Sequence, residues 1–504
     1  MDMSLWFSSF LQILTPEVLM FNVFGVIVGV VIGALPGLSA TMAIAILTPI
    51  TFWFEPSCGF AMLIGVWNSA IFAGGISAVL INTPGTPASI ASTFDGYQMY
   101  KQGRGGLALG INVIYSAIGG IISTLFLIFL SFPIANFTVT FGPTEYFMLA
   151  LFGLTMMISL SENNIVKGMA VGFAGLTLSS VGIDPILAVK RFTLDSTSLI
   201  AGISFLPVMI GMFGIGEVLN QIYEYRKSQE KENLALIKQA SNKLGRVVPT
   251  LKEFKQYLRP TIIAGAESTI IGAIPAAGGD IASIICWGQA KKMSKHSDEY
   301  GKGSAEGFAV SCTANNGVLG GALTTMLTLG IPGDAVTAIL IGSLMMYGMQ
   351  PGPKMFTEDA SFVMQIMQLM LISNFFIVVL GLASAKMSAK ILNAKPQTVW
   401  VAVTILCVVG SFALNNSFSD VLIMAVAGIV GFIFKRGGFA PGPFILGLLL
   451  GGMLESNLRR ALVMSKGSLS IFIERPVTCV LLILIVLTLF YPLIRKSLFK
   501  KKGA

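Results

Sequence analysis

The chain reads as an all-α, polytopic helical membrane protein, and three observations carry that reading. Apolar residues make up 54% of the 504 residues and charged residues only 11%, against roughly 25% charged in soluble domains. Apolar runs such as Gly106–Phe132, Phe362–Ala383 and Val477–Ile494 approach or exceed the roughly 20 helical residues that cross a hydrocarbon core. Finally, one pair of Gly-Pro motifs occurs twice, once in each half. A backbone in lipid must satisfy its own hydrogen bonds, so spans of this length are helices in a bundle.

Taken in order, the first ten residues, MDMSLWFSSF, hold no basic residue, and the first apolar stretch runs into LPGLSAT rather than a small-residue cleavage site. It reads as a retained membrane segment, not a signal peptide. Asp2 without a basic neighbour leans toward an outside N-terminus. The shorter stretches Ala40–Phe54 and Ile281–Ala290 suit half-helices or hairpin arms. The expectation is on the order of ten to fourteen membrane segments, re-entrant hairpins included. Residues 1–216 form a first membrane repeat and residues 261–476 a second. Between them, 217–260 is a basic linker, and 477–504 is a last helix with a basic tail. The linker holds nine Lys/Arg from Arg226 to Arg259, and the tail is RKSLFKKKGA. Both read as cytoplasmic. The net charge of +9 is spread over such loops, which is topology rather than nucleic-acid binding.

The repeated motifs are IGALPG (Ile32–Gly37) with IGAIPA (Ile271–Ala276), and GGISAVLINTPG (Gly74–Gly85) with GGALTTMLTLGIPG (Gly320–Gly333). The loops between and after them carry opposite charge. Phe54–Gly59 has one acid and no base, whereas Lys291–Lys302 is basic. Lys101 and Arg104 then face Glu358 and Asp359 in the matching second-half loop. Loops that read outside in one half read inside in the other, as inverted-topology repeats require.

Each Pro-Gly site breaks a helix, because Pro lacks a donor and Gly admits left-handed geometry. The half-helix that follows presents unpaired N–H groups and a partial positive charge, which bind a carboxylate without a lysine. Substrate contacts are therefore expected from Pro36, Gly37, Ser39, Thr41, Asn82, Thr83, Pro84, Gly85 and Thr86. In the second half the expected contacts are Pro275, Gly278, Gly279, Pro332 and Gly333. Intramembrane acids are costly and are functional candidates. Asp280 and Asp334, with Asn315, Asn316 and Thr328, are the expected coupling-ion residues, with oxygens that suit a bound sodium. Asp334 also suits a helix cap, and Thr86 stands at its place in the first half. The tips Pro84-Gly85 and Pro332-Gly333 are expected to face one cavity. The five cysteines are scattered, and the one histidine, His296, lies in a polar loop. Neither pattern points to a metal site or redox pair.

These residues give the chain a family resemblance. GALPGLSATMA (Gly33–Ala43), GGISAVLINTPGTPAS (Gly74–Ser89), FDGYQM (Phe94–Met99), IPAAGGDIAS (Ile274–Ser283), TLGIPGDA (Thr328–Ala335) and GMQPGP (Gly348–Pro353) resemble the large membrane subunit of the tripartite tricarboxylate transporters. The resemblance covers roughly Thr15 to Ile494. It implies a permease of the bacterial inner membrane importing tricarboxylates or other small carboxylated solutes. The implied partners are a small membrane subunit of about four helices and a periplasmic solute-binding protein. The drive would be a sodium or proton gradient, with no cofactor beyond a possible sodium ion. An elevator-type movement is an analogy from related folds. Ala276 departs from the pattern, replacing the Gly of LPG. The rival readings are an intramembrane aspartyl protease, which Gly278-Gly279-Asp280 faintly resembles, and a solute channel.

Overall fold

The computed structural model describes residues 3–159, 165–184, 186–227, 245–275, 278–384 and 396–500. Among these, seven helices are long and apolar enough to cross a membrane: Pro16–Ala34, Pro56–Ile81, Gly105–Thr138, Phe205–Tyr225, Ala360–Ser384, Gln397–Asn415 and Phe418–Gly437. The protein is a polytopic helical membrane protein. The expected half-helices are present as the shorter apolar helix Ala40–Thr51 and the helix Gly278–Met293.

In the first half, α1 (Met3–Ile13) precedes α2 (Pro16–Ala34), α3 (Ala40–Thr51), α4 (Pro56–Ile81), α5 (Ile90–Lys101) and α6 (Gly105–Thr138). Next come α7 (Pro143–Ser159), α8 (Ile165–Ser179), a small antiparallel pair β1 (Gly182–Ile183) and β2 (Lys190–Arg191), and α9 (Phe205–Met209). A π-turn at Ile210–Ile215 joins α9 to α10 (Gly216–Lys227), which leads into the linker. The second half opens with α11 (Leu251–Gly272), α12 (Gly278–Met293), α13 (Ala305–Leu329) and α14 (Ala335–Met346). It continues with α15 (Met355–Glu358), α16 (Ala360–Ser384), α17 (Pro396–Asn415), α18 (Phe418–Gly437), α19 (Pro441–Met464), α20 (Ile471–Glu474) and α21 (Pro476–Lys500).

Helices α4 and α13 show no separate polar face and are buried almost throughout, as a helix without a solvent side must be. Lipid-facing helices such as α18 instead expose Leu422, Val426, Ile429 and Ile433. Close packing around α4 comes from small residues. A Cβ placed on Gly25, Gly29 or Gly33 of α2 would lie 2.3 Å from Met62 O, 2.0 Å from Ser69 Oγ and 2.2 Å from Ala70 O. Only glycine permits that approach, the membrane small-residue stripe. Both numbers rise together along the pairs, so α2 and α4 run parallel and α3 returns between them. The ring contact of Phe21 with Phe54 at 4.5 Å closes this hairpin.

The second half holds a comparable pair of helices. Gly272 of α11 sits against Val318 O, and Thr269 Oγ1 donates to Gly317 O at 2.9 Å, so α11 and α13 also run parallel. Between the halves, Asn316 Nδ2 donates to Asn68 Oδ1 at 2.9 Å, and Asn315 Nδ2 donates to Ile71 O at 3.4 Å. One number rises as the other falls, so α4 and α13 cross antiparallel at equivalent asparagines.

The loops sort onto two faces. On the linker face, Gln102 donates to Lys302 O at 2.7 Å and Arg104 to Gly303 O at 3.4 Å, while Gly110 lies against Val247 O. Lys101 and the Lys291–Lys302 loop thus gather beside the linker. On the far face, Tyr347 OH donates to Thr51 O at 2.6 Å, next to Glu55.

Candidate functional site

The first break lies between α2 and α3. Gly37 at φ 84° takes a turn that L-residues avoid, and Ser39 caps α3 by accepting from Met42 N–H at 3.1 Å. The second ends α4. Asn82 at φ 56° is its left-handed C-cap, a conformation asparagine tolerates. Pro84 then prevents the helix from continuing. Thr86 N–H donates to Ser89 Oγ at 3.3 Å, and Ser89 Oγ–H donates back to Thr86 O at 2.8 Å. A 3-10 turn, Pro87–Ser89, leads into α5.

The second-half break after α13 is built alike with different chemistry. Gly330 at φ 69° is the left-handed C-cap. Asp334 N–H donates to Thr337 Oγ1 at 2.8 Å, and Thr337 Oγ1–H donates to Asp334 O at 2.9 Å. Asp334 Oδ1 also accepts from Thr337 N–H at 2.8 Å and from its hydroxyl at 2.7 Å. Asp334 is therefore the N-cap of α14, and its charge sits on the positive end of that helix. The break before α12 passes buried Pro275 and reaches Gly278 at φ 58°.

The breaks converge. A Cβ on Gly85 would lie 2.2 Å from Gly33 O, and one on Gly333 would lie 3.1 Å from Gly272 O. Within each half, then, the two breaks touch at equivalent glycines. Across the halves, a Cβ on Gly279 would lie 2.8 Å from Ala88 Cβ, and α14 packs along α3.

The expected residues fall into distinct places. Gly37, Asn82 and Thr83 are exposed, Pro36, Ser39, Thr41, Pro84, Gly278, Gly279 and Asp334 half-buried, and Gly85, Thr86, Pro332 and Gly333 buried. Asn315 and Asn316 are fully buried at the crossing, where Asn315 Oδ1 and Asn316 Oδ1 have no hydrogen-bond partner among the described residues. Asn315 O lies 3.5 Å from a Cβ built on Gly279. Thr328 does not join them: it stands about 18 Å further along the same helix, where Thr138 Oγ1 donates to its carbonyl at 3.2 Å. Asp280 lies in the first turn of α12, and its side chain falls outside the described residues, as do Ala276 and the linker residues 228–244.

Sequence reasoning missed two supports of the site. Gln221 of α10 donates to Gly37 O, while its Oε1 accepts from Trp400 Nε1 at 2.9 Å, so the linker helix holds the first break. Asp95, inside FDGYQM, is fully buried. Its Oδ1 accepts from the N–H groups of Gly301 (2.8 Å), Gly303 (3.0 Å) and Ser304 (2.8 Å), and its Oδ2 accepts from Trp287 Nε1 at 2.8 Å. This carboxylate ties α5 to the loop entering α13. The FDGYQM motif was the available signal, but its partners lie some two hundred residues away.

Comparison with known proteins accords with this architecture. A protein of Agrobacterium vitis, described as an uncharacterized 52.8 kDa protein in the TAR-I ttuC' 3'region, is 33% identical over 469 residues, 93% of this chain and 92% of the relative. A second from the same organism, described as an uncharacterized protein in the TAR-II ttuC' 3'region, is 33% identical over 214 residues, 42% of this chain and 88% of the relative. No solved structure matches. The family model for the tripartite tricarboxylate transporter TctA family matches residues 19–446. With most of its length matched and its helices broken at the shared motifs, the chain belongs to the tripartite tricarboxylate transporter TctA family and is a membrane subunit of such a transporter.

Proposed function

We propose that the chain is the permease of a binding-protein-dependent secondary transporter. It imports tricarboxylates or related small carboxylated solutes across a bacterial inner membrane. The observation that carries this reading is the meeting of four helix breaks, two from each half. Broken helices meeting at a repeat interface are the construction used for substrate and ion sites in secondary transporters. Inverted topology has support in helix direction: the break that follows α2 lies, at Gly37, beside Gln221 near the linker, whereas the equivalent helix α11 starts at the linker and runs away. The gathering of basic loops beside the linker supports a cytoplasmic assignment for that face.

The two halves divide the labour. Thr86 and Ser89 leave the start of the first-half segment uncharged, so its N–H groups favour an anionic substrate. Asp334 already places a carboxylate on the equivalent second-half end, which favours a cation nearby. Asp280, Asn315 and Asn316 complete the oxygen-rich candidates for a coupling sodium or proton. Alternating access of elevator type, moving the hairpins as a body, fits α2 and α4 locked by glycines. The partners in this reading are a small membrane subunit and a periplasmic solute-binding protein.

The test is uptake of radiolabelled citrate and its tricarboxylate isomers by cells producing the chain with the membrane and secreted proteins encoded beside it. Saturable accumulation that collapses with the ion gradient and requires the secreted protein is expected. Non-saturating flux along the gradient would identify a channel instead. Peptide cleavage lost in Asp280→Asn, with no uptake, would identify a protease.

A further inference from the structure

A cavity of about 340 Å³ lies away from the breaks, in the groove between α11 and α12. Gln256, Arg259, Ile263 and Glu267 line it at spacings of three and four, one face of α11. From Gln256 to Glu267 the groove follows that helix for about 16 Å. Arg259, Lys295 and Glu306 stand at its mouth on the linker face, and Ile263, Ala264 and Ala290 wall it about one turn further in. Its inner end is polar but bonded within itself. Gln289 Nε2–H donates to Glu267 Oε1 at 2.8 Å, and the Cys286 thiol bonds the same carboxylate.

Both walls pass from charged to apolar sequence at one level. On α11, Lys252, Glu253, Lys255 and Arg259 stand in the first turns, and from Pro260 to Gly272 Glu267 is the only charged residue. On α12, Lys291 and Lys292 stand in the last turn, and Lys295 follows the helix. Trp287 lies one turn inside them, with Lys291 Nζ 5.4 Å from its ring centre, the place of an aromatic residue at a membrane surface. Beyond this level α11 exposes Ile262 and Ile270, and α12 exposes Ile284 and Ile285. The groove therefore begins at the level of lipid headgroups and descends between two lipid-facing helices. The cations at its mouth are uncommitted. Among the described residues neither Arg259 nor Lys295 forms an ion pair. Glu306 beside them accepts from Tyr300 OH at 2.7 Å, and Glu267 lies about 12 Å further in along α11.

We infer that this groove binds one anionic phospholipid, with its phosphate on Arg259 and Lys295 and one acyl chain along Ile263, Ala264 and Ala290. A guanidinium and an ammonium without carboxylate partners suit a phosphate, and basic pockets between membrane helices near the surface hold anionic headgroups. A zwitterionic lipid brings its own ammonium against the same two cations, which like charge disfavours. The apolar walls select a lipid over a soluble anion, which would leave them uncovered. A partner helix is too large an occupant: about 10 Å wide, it fills more than about 1,000 Å³ over this length. The bound lipid ties α11 to the loop that follows α12, and so braces the base of the second-half hairpin. The inference requires a chain in a bilayer and is independent of the solute carried.

The experiment uses the full chain in a neutral detergent. Phosphatidylglycerol or phosphatidylcholine of matched acyl chains is added, and the tightest-bound lipid is titrated by native mass spectrometry. Phosphatidylglycerol is expected to bind at least tenfold more tightly. Arg259→Gln and Lys295→Gln should each weaken it about fivefold, and together on the order of 20-fold. Both side chains are exposed, so the lipid-free unfolding temperature should not move. Ala290→Phe, which fills the groove and keeps both cations, should weaken it at least fivefold. Equal affinity for the two lipids, unchanged binding in the double variant or in Ala290→Phe, or displacement by millimolar glycerol 3-phosphate or citrate overturns the inference. A photoreactive phosphatidylglycerol decides the place in the unsubstituted protein, whatever the variants do. Labelling within 256–267 and 286–295 is expected, and labelling only elsewhere overturns the inference. None of these measurements needs transport, so failure of citrate uptake would leave them standing.

Discussion

The breaks after α4 and after α13 share one geometry and differ in one charge. Both follow a left-handed C-cap, Asn82 or Gly330, and both close with a backbone N–H bonded to a hydroxyl three residues on. In the first half the capping residue is Thr86, and in the second it is Asp334. The backbone path is therefore set by the Pro-Gly turn and the hydroxyl. The capping side chain is free to decide which sign of charge the helix end attracts. In the function proposed above, two breaks of one shape thus take two electrostatic roles.

Removing the shared geometry should have the largest effect. Gly85→Leu would force atoms into Gly33 O, and Gly333→Leu into the α13 backbone at Ala322. Each is expected to cut uptake on the order of 100-fold while leaving membrane abundance intact. Equal loss in the two halves shows that both breaks serve the cycle, and normal uptake in either would remove that half from the site.

Exchanging the charge comes next. Thr86→Asp keeps a capping oxygen but places a carboxylate where the substrate anion is expected, so uptake should fall on the order of tenfold. Asp334→Thr preserves the cap and should change thermal stability little. Its apparent affinity for the coupling ion should weaken, read as a raised half-saturating ion concentration. A weaker effect is expected from Ser89→Ala and Thr337→Ala, which delete the hydroxyl of each box. Each should lower stability by about 1 kcal/mol in a thermal unfolding assay.

The smallest expected effect is a control outside the membrane. The Asp184 carboxyl is held down at about 2 by the N–H groups of Leu187 and Ile186 and then by the Arg459 guanidinium. Its folded value lies below its ordinary one, so its contribution is complete above about pH 4 and is lost as pH falls through about 2. The protection of the Ile186 and Leu187 amides, their exchange divided by the unfolded-chain rate at each pH, should be flat from neutral to mildly acid pH. Any pH dependence of uptake in that range then belongs to groups other than Asp184.

Much of this was legible in the residues. The broken arms at Ala40–Phe54 and Ile281–Ala290 declared themselves by length, and the Gly-Pro repeats by recurrence. The cap at Asp334 was readable from Asp beside a break. What stayed hidden was held by distance in sequence. Nothing local to Gly37 points to Gln221, and nothing local to Asp95 points to Gly301. Thr328 stands several turns from Asn315 and Asn316 on one helix, a spacing that residue type alone does not convey.

In the first half, Gly29 of α2 receives Ser69 Oγ of α4, where a Cβ would lie 2.0 Å away; in the second, Gly317 of α13 receives Ser268 Oγ of α11, at 2.1 Å. The hydroxyl and the gap have traded helices. Grafting α2 alone onto the second half would therefore bring glycine against glycine, and grafting α11 onto the first would bring serine against serine. Chimeras of the two halves can be built only in units that carry both members of a pair, so the hairpin and the helix beside it are the smallest interchangeable part of this protein.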